Sequence, residues 1–524
     1  MTTGMQLRGD TIHRYVVGFC PYCHQEDPDR PLELVGRLSG YLSIRDERVW
    51  LVRGCPVHGR VETLYDEAPE ILSYLETWTA PTKRHTPDTM GNFEPVPAGY
   101  LRGLGEMQTQ HTCILLEDII SECNLRCPTC FADSAPQAGG VVPVDVVLAN
   151  VDQRLERESG HLDVVMLSGG EPTIHPDFVQ ILDELAARPI TRILVNTNGV
   201  SIARDDALLG ALGSRSDRVE IYLQFDGFRQ ATYRHHRGAD LSALKRRAVT
   251  RLADAGVFTT LTMTVAKGIN DDEIGDVLMF ALETPFVGGV SIQPQFGSGR
   301  SGPIDSADRL THGGVLRRFE PQTGGVVTWR DLTALPCSHP HCCSIGYMIR
   351  QDDGSWRSLV DAIGHDRLRD HLALVSNTIA STDIMDEVRD AIRVSLLGLL
   401  SEQQSLSHPT IGDLFDIVCQ TCDLGIGGML RRAGRAVVGG ARRQVRALMA
   451  ERIVRITVKP FMDVSTMIEE RLLQCCVHVG TTNGSAAQCA PFCAVQAWSQ
   501  LGSQRLSDAW GSVNDPGWVP VGMR

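Results

Sequence analysis

Residues 121–134 read SECNLRCPTCFADS, and this stretch decides the fold. It sets Cys123, Cys127 and Cys130 at the spacing C-x3-C-x2-C, directly after the apolar run CILLEDII (113–120). Such a run reads as a strand, so the cysteines sit on a loop leaving its C-terminal end. Further runs follow: LDVVMLS (162–168), TRILVNT (191–197), VEIYLQF (219–225), FTTLTMTV (258–265) and VSIQP (290–294). Amphipathic segments such as DFVQILDELAAR (177–188) and LSALKRRAVTRLADAG (241–256) lie between them. Strand then helix, six times over, predicts an α/β fold with a parallel sheet, curled into a barrel that is closed or partly open. Sites in such barrels are built at the C-terminal ends of the strands.

Three thiolates are one short of the four that close an ordinary iron–sulfur cube. Three leave one iron open, and an open coordination position is what metal catalysis needs. A zinc loop would account for a lone C-x2-C, but not for this spacing after the first strand of a barrel. Later strand ends carry small and polar groups. They are Gly169, Gly170 and Glu171 in LSGGEPT, Asn196 and Asn198 in NTNG, Gln224 and Asp226 in QFDG, and Thr262 in TMTVAKGIN. Each alone is ordinary turn chemistry. Together, and in order, they line one end of a barrel.

The chain of 524 residues is too long for one core and suggests about three domains. Expected are a metal domain over 1–105, the barrel over 106–310, and a mainly helical domain over 311–524. NFEPVPAGYLRGLGE (92–106) reads as the first linker. Net charge is −13, which disfavours nucleic-acid binding. No secretory leader and no long apolar run is visible, so a cytoplasmic location is expected. The sixteen cysteines cluster tightly, which in that compartment reads as metal binding rather than disulfides. Residues 431–459 are strongly basic, with Arg431, Arg432, Arg435, Arg442, Arg443, Arg446, Arg452, Arg455 and Lys459 against Glu451. The segment reads as a solvated helix face, with peripheral contact to anionic lipid as the alternative.

Cysteines also cluster at both ends. Cys20 and Cys23 in FCPYCHQ, with Cys55 and His58 in RGCPVHG, form two knuckles of a zinc-ribbon or rubredoxin-like site. Zinc and mononuclear iron both suit these ligands. The third zone holds nine thiols: Cys337, Cys342, Cys343, Cys419, Cys422, Cys475, Cys476, Cys489 and Cys493. They are candidate ligands for auxiliary [4Fe–4S] clusters. At least two, with Cys113, are expected to be packed thiols. His339, His341 and His478 are expected beside the clusters or at the surface.

The loop CNLRCPTC and the GGE segment resemble the radical S-adenosylmethionine (SAM) superfamily. The resemblance implies a (β/α)6 partial barrel and a [4Fe–4S] cluster held by Cys123, Cys127 and Cys130. It also implies SAM contacts from Gly169, Gly170, Glu171, Asn196, Asn198, Gln224, Asp226 and Thr262, with Glu171 near the methionine amino group. The implied chemistry is reductive cleavage of SAM to a 5′-deoxyadenosyl radical, which abstracts hydrogen from an unactivated carbon. A one-electron donor of flavodoxin or ferredoxin type is implied as partner. The motifs CPVHG, CNLRCPTCFA, QPQFGSGR (Gln293, Pro294, Arg300), PCSHPHCC, FMD, ERLLQCCVHV and PFCA narrow the resemblance to one branch. That branch holds the tetraether lipid synthases and an archaeal hydroxymethyl-dihydropterin methyltransferase-like relative. Relatives tend to have Tyr-Asn where PFCAVQ has Val495 and Gln496, and Cys489 is an additional thiol.

The expected activity is C–C bond formation or C-methylation on a lipid or pterin-like substrate. A pterin-directed methyltransferase and a peptide-modifying maturase are alternatives within the class. An iron–sulfur redox sensor is the alternative outside it, disfavoured because a sensor needs no SAM site.

Overall fold

A computed structural model describes residues 6–78, 94–95, 112–369, 452–480 and 490–498, less positions 8, 9, 29, 31–34, 159, 336, 337, 352 and 367. Gln6–Leu7, Asp10–Gly18, Gly36–Arg45, Arg48–Cys55 and Gly59–Asp66 (β1–β5) form an antiparallel sheet in sequential order. Glu94–Pro95 (β6), from the expected linker, adds to β3; the rest of that linker lies outside the described residues.

The six strands read from sequence are all present: Ile114–Ile120, Leu162–Gly169, Ile190–Thr197, Val219–Gln224, Thr259–Val265 and Val287–Pro294 (β7–β12). They pair in parallel and in order. Their side chains alternate, as a strand's period of two requires. Val165, Leu167, Ile193, Val195, Ile221 and Leu223 pack with the helices in the main core. Met166, Leu194 and Tyr222 face the other way and join Leu116, Phe296 and Phe492 in a second cluster. Both faces are therefore apolar, which is why the strands read as continuous hydrophobic runs.

The zone beyond 311 is described in part, and there it carries strands as well as helices. Its described residues give Thr333–Ala334, Ser344–Arg350, Trp356–Ser358, Ile453–Val458, Val477–Val479 and Ala490–Pro491 (β13–β18), with short helices between. The strand β16 runs parallel to β12, and β17 runs parallel to β7. The last zone thus extends the barrel sheet at both edges. The described end of the basic segment is β16 itself, where Arg455 donates to Glu220 at 3.1 Å. That arginine is committed to the fold rather than offered to lipid; residues 431–451 lie outside the described residues. No described helix is long and apolar enough to cross a membrane.

The first sheet is not a free bead either. Ile468 completes its core with Val16, Leu42 and Leu51. Arg53, 1% exposed, donates to Phe19 O at 2.7 Å and Thr63 Oγ1 at 2.5 Å. The buried pair Arg37–Glu469, at 2.6 Å, ties the same sheet to the 469–473 helix.

Candidate active site

Two turns grip the cysteine loop. The first is the GGE segment after β8. Gly170 N donates to Ile120 O at 2.6 Å, and Glu171 N to Glu122 O at 2.9 Å. A Cβ on Gly170 would sit 2.0 Å from Glu122 O, and one on Gly169, at φ +114°, 2.2 Å from Ile120 O. The glycines are there so that the cysteine loop can lie directly on them. The second turn is GSGR after β12. Arg300 donates from Nε to Cys127 O at 2.9 Å, from Nη1 to Asp133 Oδ1 at 2.5 Å and from Nη2 to Ser134 O at 2.6 Å. Its backbone N–H reaches Cys130 O at 2.9 Å.

Held this way, Cys123, Cys127 and Cys130 all open on one cleft of about 860 Å³. Gly169, Gly170, Asn196, Asn198 and Gln224 also line it. Leu125 N–H donates to Cys123 Sγ at 3.4 Å, and burial, the largest effect, pushes the Cys123 thiol up to about 12. Three soft donors meeting in one wall suit an iron–sulfur cube with one iron turned to the cleft.

Glu171, Asp226 and Thr262 are placed differently from expectation: none lines the cleft. The Glu171 carboxylate is 1% exposed and accepts from Thr173 Oγ1 and Thr197 Oγ1, both at 2.6 Å, and from Asn198 N at 2.7 Å. It fastens the ends of β8 and β9 together. Thr262 is buried with its hydroxyl unpartnered among the described residues. Thr264, two residues on along the same face, lines the cleft instead. Asp226 is fully buried and holds Arg237 from two sides, Nε and Nη2 each at 2.6 Å.

Sequence reasoning missed Arg237, the one charged side chain in the described cleft wall. Burial works against its charge, but Asp226 and then Cys127 outweigh that and hold its pKa above the usual value. It ends the helix Gln230–Arg237, whose Gly238 closes the turn at φ +78°. Lys245, also missed, is buried and donates to Asn198 O at 2.6 Å and Gln224 O at 2.7 Å, bracing two cleft residues from behind.

The N-terminal knuckles converge. Cys20, Cys23, Cys55 and His58 bring their ligand atoms within 4.8 Å of one another. Cys23 Sγ lies 3.7 Å from Cys55 Sγ, and His58 Nδ1 lies 3.5, 3.3 and 3.6 Å from Cys20, Cys23 and Cys55. A tetrahedron with ordinary Zn–S and Zn–N bonds separates sulfurs by about 3.8 Å and sulfur from nitrogen by about 3.5 Å. The set fits such an ion, and Glu26 at 2.9 Å from His58 Nε2 orients the imidazole.

Among the C-terminal thiols, Cys337, Cys419, Cys422 and Cys489 lie outside the described residues. Cys342, Cys475 and Cys493 are half-buried, and each is close enough to influence another's ionisation. Arg471 Nε donates to Cys342 Sγ at 3.2 Å. Cys476 packs with Cys113 in a small apolar cluster, and Cys343 is likewise buried. The histidines are interior rather than on the surface: His478 bonds Thr112 Oγ1 at 3.0 Å and Cys475 O at 2.9 Å, and His341 bonds Tyr65 OH at 3.0 Å. His339, 1% exposed, accepts from His341 N–H at 3.1 Å.

Comparison with known proteins finds relatives of the whole chain and of its middle part. The 7,8-dihydro-6-hydroxymethylpterin dimethyltransferase of Methanocaldococcus jannaschii is 22% identical over 507 residues, 92% of this chain and 93% of that one. A GTP 3',8-cyclase of Streptomyces coelicolor is 29% identical over 213 residues, 38% of this chain and 60% of the relative. Among solved structures, Streptococcus suis SuiB aligns with a TM-score of 0.33 at 14% identity, over 52% of this chain and 64% of that one. The TsrM methyltransferase of Kitasatospora setae aligns at 0.26 and 13% identity, over 46% of each chain. Residues 119–281 match the Radical SAM superfamily and residues 12–67 the HMPTM N-terminal zinc ribbon domain. The chain therefore carries a radical SAM domain, with its [4Fe–4S] and SAM requirement, behind an HMPTM zinc ribbon.

Proposed function

We propose that this enzyme uses radical SAM chemistry to methylate, or form a carbon–carbon bond to, a compact pterin-like heterocycle. The observation that carries the reading is the cysteine loop clamped between GGE and GSGR, with three thiols opening on a cleft that has a single cation in its described wall. In this reading Cys123, Cys127 and Cys130 hold the cluster. When bound, cluster and SAM supply one-electron chemistry: reductive cleavage to a 5′-deoxyadenosyl radical able to take hydrogen from an unactivated carbon.

The chain's own residues bind and orient. Arg237 offers positive charge to the SAM carboxylate. The backbone of Gly169 and Gly170 faces its amino group, a role the spent Glu171 carboxylate leaves to main chain. Asn196, Asn198 and Gln224 offer amides to the polar remainder, alongside the indirect support of Asp226 behind Arg237. Phe131 and Phe296, 5.9 Å apart, keep water from the inner end. Cys342, Cys475 and Cys493 are ligands for an auxiliary cluster, and the reductant is a flavodoxin or ferredoxin.

The substrate class is supported by the Methanocaldococcus relative, matched along almost its whole length. Anaerobic protein, SAM and reductant are incubated with 6-hydroxymethyl-7,8-dihydropterin and, separately, with isoprenoid lipids. A pterin product gaining methyl mass supports the reading; conversion of lipid alone refutes it. Cys127→Ala should abolish 5′-deoxyadenosine formation, and a parent-like rate would remove the cluster assignment.

A further inference from the structure

We propose that a second chamber, walled on one side by the zinc-ribbon sheet, seats the heterocycle, with Asp66 and His312 reading its hydrogen-bonding edge; this rests on the pterin-type reading above. The space between its walls, counted together with the solvent it opens onto, is about 420 Å³. Pro294 and Gln295 line both it and the SAM cleft, so the two spaces share a wall at the end of β12. Its opposite side is Tyr65 and Asp66, at the end of β5.

The wall chemistry selects the ligand. Asp66, 1% exposed, accepts from Ala68 N at 2.8 Å and Gly313 N at 2.9 Å, and each carboxylate oxygen keeps a further lone pair. His312 is 4% exposed; its Nε2 pairs with Ser344 Oγ at 2.9 Å, and its Nδ1 has no partner among the described residues. A buried ring nitrogen of that kind calls for a partner from outside. Arg471, 5% exposed, adds a cation to the same lining. Acceptor, imidazole and cation together complement a ring that bears N–H donors and a carbonyl oxygen along one edge, as a pterin does. An alkyl chain offers nothing to these groups. Phe461 and Pro294 supply flat apolar surface for the ring faces.

The test uses the full chain, loaded with iron–sulfur and zinc under anaerobic conditions. Equilibrium dialysis measures 6-hydroxymethyl-7,8-dihydropterin and SAM for the parent, Asp66→Asn and His312→Phe. Both variants should weaken pterin binding at least tenfold and leave SAM affinity within twofold. Hydrogen–deuterium exchange of the parent guards against misfolded variants. Added pterin should protect 62–68 and 309–314 as well as the strand ends. If the pterin binds, yet both folded variants keep parent affinity or protection is confined to the strand ends, the chamber is overturned and the pterin reading stands. If the parent binds no pterin, both fall.

Discussion

Gly170→Ala isolates the packing that shapes the site. The new methyl would lie 2.0 Å from Glu122 O, 2.5 Å from Glu122 C and 2.7 Å from Ser121 O. These are backbone atoms, so no side chain can swing aside. An ordinary contact needs about 3.5 Å, so the turn and the loop must part by roughly 1.5 Å. That separation stretches the Glu171 N–Glu122 O bond, now 2.9 Å, past any useful length. The loss is about 1 kcal/mol for that bond and about 1–3 kcal/mol for overpacking. Global unfolding is not expected. Cys123 follows Glu122 immediately, so the displacement falls on the first thiol of the three. Anaerobically reconstituted Gly170→Ala protein should therefore lose most of its radical SAM cluster while keeping its zinc. Iron, sulfide and zinc analysis measures this, with 5′-deoxyadenosine formation as the second readout. Parent-level iron with a parent rate would refute the argument that glycine is needed for loop approach.

Arg237→Met leaves Asp226 buried without its partner and should destabilise the protein by about 3–5 kcal/mol; it should also weaken SAM at least tenfold, and unchanged SAM affinity by dialysis would count against the role of Arg237. Cys55→Ser should remove the zinc and lower the melting midpoint, leaving iron at the Cys123 loop; retained zinc in elemental analysis would contradict the four-ligand site. Asp463 tests pH linkage. Burial would raise its carboxyl, but Arg309, at 2.7 and 3.1 Å, outweighs that and holds its pKa well below the usual range. Its stabilisation is therefore complete above the unfolded carboxylate value of about 4 and is lost as pH falls below it. Asp463→Asn should cost about 3 kcal/mol at pH 7 and flatten the acid limb of a melting-point profile; an unchanged limb would refute this.

Parts of this molecule were plain in the sequence for a physical reason. Parallel strands covered on both faces are unbroken apolar runs, so β7–β12 stood out. The zinc knuckles stood out because ligand spacing within one knuckle is local. Side-chain direction was not legible. The letters GGE do not say that Thr173, Thr197 and Asn198 saturate the carboxylate, nor that Thr264 rather than Thr262 reaches the cleft. Arg237 left a usable signal: a cation closing a helix just after the acid of QFDG. The strand IVRITV lies in the basic segment 431–459, whose run of arginines reads as a solvated helix face.

The sheet is hemmed at both margins by one late stretch of chain. Val477 lies beside Ile114, and Arg455 beside Gly289. A growing polypeptide must therefore carry raw selvedges of unsatisfied amides, along β7 until residue 477 and along β12 until residue 453. Shortened before residue 453, the product would be sticky rather than merely inactive. Heterologous production should accordingly gain from chaperone supply.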